Sequence, residues 1–182
     1  MRDGDPNDPP AGPERPASTA RAAAGTVLFV LLGGPALAAV LVPWLLSGWR
    51  LRPALMDWEA WRWAGVLLMI LGPALVAWSM ATFVRRGRAT PSPIYLTERV
   101  VGVGPFRYVR NPMYIGVVAT ILGQGLVLAS VAVVIYAAAF ALTAHLIVVL
   151  YEEPRLTRIF GREYVAYRGD VPRWLPRRRR ER

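Results

Sequence analysis

The chain has no cysteine and no lysine, and its 182 residues include a single histidine. Without cysteine there is no disulfide, no thiolate nucleophile and no thiolate metal site. One histidine does not make a histidine-based metal centre, so no metal is expected. No Ser/His/Asp set and no HExxH pattern occurs, which leaves hydrolysis without its usual machinery. Gly102-Val103-Gly104 does not make a dinucleotide loop: no third glycine stands at the required place, Pro105 follows, and no parallel-sheet pattern precedes it. Acidic residues are also scarce, 12 against 22 arginines, for a net charge of +10. Arginine-rich codon usage accounts for the missing lysine without a phosphate-specific role for arginine.

What is abundant is apolar sequence, at 54% of the chain. It is gathered in blocks that approach or exceed the ~20 residues a helix needs to cross a bilayer. Four spans are predicted, at 24–46, 63–83, 113–129 and 131–151. The last two are nearly continuous. As one straight helix they would far exceed the hydrocarbon core of roughly 30 Å. A tight hairpin near Leu128-Ala129-Ser130 resolves the length.

Three arginines precede the first span, six lie between spans two and three, and ten follow span four; only Arg50, Arg52 and Arg62 sit on the other side. This positive-inside pattern places both termini in the cytoplasm and accounts for the basicity without nucleic acid. The expected fold is an all-α polytopic membrane protein. About four transmembrane helices, a C-terminal helical hairpin and a cytoplasmic helix form one domain over 23–176, in a bacterial inner membrane.

Residues 1–22 are rich in proline, alanine and charge, which predicts a disordered tail rather than a signal peptide. Gly33-Gly34-Pro35 predicts a kink or close helix packing in span one, and Gly72-Pro73 a bend in span two. Trp44, Trp49, Trp58, Trp61 and Trp63 lie at one level, as an outer aromatic belt would, with a short interfacial helix over 53–61. The long connection 89–110 holds Pro91, Pro93, Gly102, Gly104 and Pro105, which argue against a continuous helix. A helix over 154–167 is expected across the cytoplasmic face, weakened at Gly161. Trp174 and Leu175 read as interfacial anchors, and the polybasic tail 177–182 would meet anionic headgroups at about 1 kcal/mol per charge.

The polar residues beside spans three and four are the candidates for chemistry. Pro112 suits the first turn of span three and Asn111 the N-cap before it. That geometry makes a good helix start, and it equally presents free N–H groups to a carboxylate. Tyr114 and Phe106 offer faces for an aromatic ring or a sulfonium, a contact of about 0.5–2 kcal/mol. Gly102 and Gly104 permit a turn with close backbone approach to a ligand. Glu152 and Glu153 are either solvated charges at a helix end or part of a site. A helix C-terminus disfavours carboxylates, so compensation is expected from Arg107, Arg110, Arg155 or a cationic ligand. His145 shares a helical face with Glu152. Like Gln124 in span three, it either bonds a neighbouring helix or lines a cavity.

At these residues the chain resembles the isoprenylcysteine carboxyl methyltransferase and phospholipid methyltransferase superfamily of membrane enzymes. The resemblance covers 98–176. Its elements are Gly104-Pro105-Phe106, Arg110-Asn111-Pro112-Met113-Tyr114, Glu152-Glu153, Phe160-Gly161-Arg162-Glu163-Tyr164 and Val171-Pro172, in that order around one hairpin. Asn111 stands where the eukaryotic isoprenylcysteine enzymes have histidine, and Val148 where they have arginine. The Asn-Pro-Met-Tyr form is similar to the phospholipid N-methyltransferases.

The resemblance implies S-adenosylmethionine as methyl donor, held by Val100, Val101, Phe106, Asn111, Pro112, Met113, Tyr114 and Glu152; Gly104 and Arg110, beside them in the sequence, are added as candidate cofactor-binding residues. Glu153 matches the second acid of the family's pair, and from their own chemistry His145 and Glu153 are the candidate catalytic groups, His145 for the acceptor's proton. The implied reaction is methyl transfer to a lipid-like or small hydrophobic acceptor at the cytoplasmic face, with a carboxylate, phospholipid amine, thiol or hydroxylated aromatic all open. The competing reading is a non-catalytic four-helix scaffold or assembly subunit.

Overall fold

The computed structural model describes residues 37–52, 58–87 and 102–176. The tails 1–22 and 177–182, the Gly33-Gly34-Pro35 bend, most of the expected interfacial helix, and Val100 and Val101 lie outside the described residues. Among the described residues the architecture is helical, with no strand. A π-helical turn, Leu37–Leu41, runs into α1, Val42–Ser47. Then come α2, Trp58–Gly87; a 3₁₀ turn, Gly104–Arg107; α3, Pro112–Val127; and α4, Val131–Ile147. A second π turn, Val148–Glu152, leads into α5, Glu153–Phe160, and α6, Arg162–Asp170, closes the series.

Two of these helices have the length and apolarity to cross a membrane: Ala60–Thr82 within α2, and the continuous rod Val131–Phe160 formed by α4, the π turn and α5. Leu37–Ser47 and Pro112–Val127 are apolar but shorter. Against the four spans expected, the described residues hold two helices of crossing length. Few residues of either long helix are buried, and large side chains such as Leu67, Ile70, Ile135 and Leu142 face outward. A helix that is apolar on all sides yet little covered by protein is matched to lipid rather than to water.

Glycine sets the spacing of α2 and α3. The helices run antiparallel, with Gly65 opposite Gly123 and Gly72 opposite Gly116. A Cβ at Gly65 would sit 2.8 Å from the Gly123 carbonyl, and one at Gly116 2.6 Å from the Gly72 carbonyl. Backbones come this close only where side chains are absent, the usual device for packing helices where lipid removes the hydrophobic drive. Pro73 lies inside α2, which remains one helix of 30 residues. Trp58 and Trp61 belong to its first turns, so α2 starts five residues before the expected 63 and takes up the end of the predicted interfacial helix.

The hairpin falls where its length required. α3 ends at Val127 and α4 begins at Val131, with Ala129 in the left-handed region at φ 49°. Behind it lies a core of Ala39, Val117, Ile121, Val133 and Ala137. Two polar side chains beside this core, buried Gln124 and partly buried Tyr136, have a specific task. Pro43 has no N–H, so the carbonyls that an α or π turn would pair with it are orphaned. Gln124 Nε2 donates to Ala39 O at 2.6 Å, and Tyr136 OH donates to Ala38 O at 3.1 Å. Of the two readings open for Gln124, the bond to a neighbouring helix is the one observed.

The acidic pair is not at a helix C-terminus. Pro154 has no N–H to continue a regular α turn, and the π turn before it absorbs the defect and carries the rod on to Phe160. Glu153 therefore stands in the first turn of α5, and the macrodipole objection disappears. The predicted helix 154–167 is divided at Gly161, whose φ of 53° and ψ of −125° break the run into α5 and α6.

Candidate functional site

The elbow before α3 is built on Gly104. Its φ is 59°, and a Cβ there would lie 2.7 Å from Thr82 Oγ1 of α2, so glycine satisfies both the turn and the approach. The close approach expected of this glycine is thus made to α2. Phe106 and Val109 are buried beneath the turn. Tyr167 OH donates to the Phe106 carbonyl at 2.7 Å, and burial pushes the Tyr167 phenol up, so it stays a donor.

The C-terminal strap 171–176 then lies along the elbow. Arg110 N–H donates to Pro172 O at 2.9 Å, and Asn111 Nδ2 donates to Arg173 O at 3.2 Å. Pro112 occupies the first turn of α3 as expected. Asn111 holds the N-cap position, but its side chain makes no cap bond and ties down the strap instead.

Glu153 joins three parts of the chain. Its side chain is 7% exposed, and Arg173 grips it with Nε at 2.6 Å from Oε1 and Nη2 at 3.0 Å from Oε2. Arg110 Nη1 lies 3.0 Å from Oε1, with its own side chain 8% exposed. The Nη1 contact is an ion pair by distance without hydrogen-bond alignment, and Arg110 Nε is buried with no hydrogen-bond partner. Burial also pushes up the Tyr164 phenol, against the pull of Arg110. Of the cations expected to compensate the acids, Arg110 does so. Arg107 instead lies over the Tyr108 ring at 5.4 Å, and Arg155 donates to Tyr151 OH at 3.0 Å.

Glu152 faces the other way. Its Oε1 accepts from Tyr114 OH at 2.6 Å, which fastens the returning rod to the first turn of α3. The Tyr114 ring meets Trp174 edge-on, with centroids 6.5 Å apart. Trp174 Nε1 in turn donates to His145 Nδ1 at 3.0 Å. Tyr114, His145 and Trp174 form the polar end of an otherwise apolar cleft of about 530 Å³, walled by Leu68, Ile115, Val118, Leu122 and Leu142. Of its two open readings, His145 thus takes that of a cavity residue, and its bond goes to the C-terminal strap rather than to a neighbouring helix.

The structure thus gathers Gly104, Phe106, Arg110, Asn111, Pro112, Met113 and Tyr114 at one helix start, and brings Glu152 and Glu153 against them. His145 sits nearby, across the cleft. Sequence reasoning missed Arg173, Trp174, Tyr164 and Tyr167. Trp174 and Leu175 had the same expected role, yet only Leu175 points outward, at 79% exposed. The signal for Arg173 was an unassigned cation just after Pro172, within reach of two acids that needed one.

The donor set suits a nucleotide-linked amino acid bearing a sulfonium. Arg110 offers a buried unpaired N–H for a carboxylate, and Glu152 Oε2 has no protein partner among the described residues for an ammonium or a ribose hydroxyl. Among these residues no cluster of His, Cys, Asp and Glu could hold a metal. Residues 60–163 match the family model described as Phospholipid methyltransferase. No curated protein matches the chain.

Proposed function

The chain belongs to the phospholipid methyltransferase family, a family of membrane methyltransferases, and from that premise we propose that it transfers a methyl group from S-adenosylmethionine to a lipid-like or small hydrophobic acceptor. The observation that carries this reading is the meeting of the acidic pair with the α3 elbow, Tyr114 to Glu152 at 2.6 Å and Arg110 to Glu153 at 3.0 Å, beside an apolar cleft. The acceptor's tail lies in the cleft and its reacting atom at the Tyr114 end. The site faces the cytoplasm of a bacterial inner membrane with both termini on that side. The arginine distribution supports this orientation, as do Trp44, Trp49, Trp61 and Trp63, which stand exposed at the start of the bundle away from the acids.

When bound, S-adenosylmethionine supplies an electrophilic methyl on a cationic sulfur. Direct displacement then asks the protein mainly for alignment, worth about 7–11 kcal/mol when complete. Glu152, with Tyr114 fixing one oxygen, anchors the donor through the other. Arg110 takes the donor's carboxylate, while Gly104, Phe106, Asn111, Pro112 and Met113 shape the elbow against it. Glu153, occupied by two arginines, positions the strap rather than touching the reacting atoms. For an amine acceptor, the charge on Glu152 also stabilises the positive charge that develops in transfer.

The test is transfer of labelled methyl into total membrane lipids by the purified chain, followed by identification of the product. Label in a lipid-extractable product supports the reading. Well-folded protein in detergent that shows no saturable S-adenosylmethionine binding overturns it and leaves a non-catalytic membrane subunit.

A further inference from the structure

Trp174 closes the polar end of the cleft through one hydrogen bond, and that bond fixes the chemistry of the chain's single histidine. An indole N–H can only donate. Its partner, His145 Nδ1 at 3.0 Å, must therefore carry a lone pair and no proton. A neutral imidazole keeps one N–H, so the proton resides on Nε2. Among the described residues no protein group bonds Nε2, while His145 itself lines the cleft. The remaining walls are apolar, and the Tyr114 hydroxyl proton is committed to Glu152.

We infer that Trp174 is a positioning residue that holds His145 as the Nε2–H tautomer, so that His145 acts as a hydrogen-bond donor to an oxygen of the methyl acceptor and not as its general base. The acceptor is thereby a molecule with an apolar body and an oxygen lone pair close to its reacting atom. The role in transfer rests on the methyltransferase reading; the tautomer does not.

The first arm of the test is nitrogen NMR of the full chain in detergent micelles, carrying ¹⁵N-histidine and a purification tag without histidine. The single histidine makes the spectrum unambiguous. The expected result is a pyridine-like Nδ1 and a pyrrole-like Nε2, with Trp174→Phe moving both toward the averaged values of an exchanging imidazole. A pyrrole-like Nδ1 overturns the inference, as does a spectrum unchanged by Trp174→Phe.

The second arm is methyl transfer. If His145 donates, His145→Gln, which keeps an N–H near the Nε2 position, recovers at least tenfold of the rate that His145→Leu loses. Trp174→Phe then raises the acceptor KM with a smaller effect on kcat. Equal loss in His145→Gln and His145→Leu, with thermal midpoints unchanged, identifies a base and overturns the donor role. If the wild-type chain transfers no methyl at all, the functional reading fails, and the nitrogen spectrum still decides the tautomer.

Discussion

Glu152 and Glu153 are neighbours that straddle the junction of the π turn with α5, and they bind different walls of the site. Glu152 accepts from Tyr114 of α3 at 2.6 Å, while Glu153 is clasped by Arg173 of the strap at 2.6 and 3.0 Å. Two chemically identical side chains thereby acquire separable functions. Glu153 orders the protein, because a buried carboxylate with two guanidinium partners cannot lose one cheaply. Glu152 keeps an oxygen for a ligand.

The first prediction follows from that division. Glu153→Gln leaves Arg110 and Arg173 without their buried counter-charge, which typically costs about 3–5 kcal/mol. Glu152→Gln keeps an acceptor for Tyr114 and costs far less stability. Thermal unfolding in detergent should rank Glu153→Gln well below wild type and Glu152→Gln close to it. Calorimetry should show the reverse order of damage for S-adenosylmethionine binding.

Much of this pairing was legible in the sequence. The Asn111-Pro112 step has a physical meaning at a helix start, and the length of the apolar run 113–151 demanded a hairpin, so the acids had to return to the level of the elbow. What escaped was set by tertiary context. The acids read as the end of a helix, yet the π turn carries the rod past Pro154. Trp174 and Leu175 are equally suited to a membrane interface by composition, and only the hydrogen bond to His145 distinguishes them. The glycine pairs 65–123 and 72–116 show no local signal, because each glycine matters only through its opposite number.

Tyr114→Phe isolates the hydroxyl from the ring. The edge contact with Trp174 survives, and the bond to Glu152 is lost. A hydrogen bond to a charged group contributes about 1.5–3 kcal/mol. Methyl transfer should therefore fall on the order of tenfold to a hundredfold, with the loss seen in donor affinity. An unchanged donor Kd in Tyr114→Phe would separate Glu152 from donor binding.

The contact between α2 and α3 should resist even one added methyl. A Cβ at Gly116 meets both the Gly72 carbonyl and Val76 Cγ2 at 2.6 Å, so the helices would have to part. Overpacking of this kind costs about 1–3 kcal/mol. Gly116→Ala should lower the thermal midpoint. Gly161→Ala meets no neighbour, but at φ 53° and ψ −125° a side chain strains the backbone, so it should lower the midpoint without any clash.

The caps on the π turn can be tested by restoring what they replace. Gln124→Leu leaves the Ala39 carbonyl without its donor, at a cost of about 1–2 kcal/mol in a membrane setting. Pro43→Ala supplies an N–H able to take that carbonyl. The two substitutions should therefore be non-additive, with Gln124→Leu less damaging in the Pro43→Ala background than in wild type. Additive losses in a double-mutant cycle would show that Gln124 serves the core through packing alone.

The cleft offers the cleanest separation of the acceptor from the donor. Ala119 and Ala141 line it, and neither belongs to the ion-pair clasp or to the Tyr114–Glu152 bond. Ala141→Phe adds a ring to a space of about 530 Å³ that can take it without moving a helix, so stability should hold. The acceptor's apolar tail would lose that volume, and burial of apolar surface at about 25 cal/mol per Å² would be lost with it. The acceptor KM should rise by at least tenfold while the S-adenosylmethionine Kd stays at the wild-type value. A variant that lowers both affinities together would place donor and acceptor in one continuous cavity; one that alters neither would move the acceptor out of the cleft altogether.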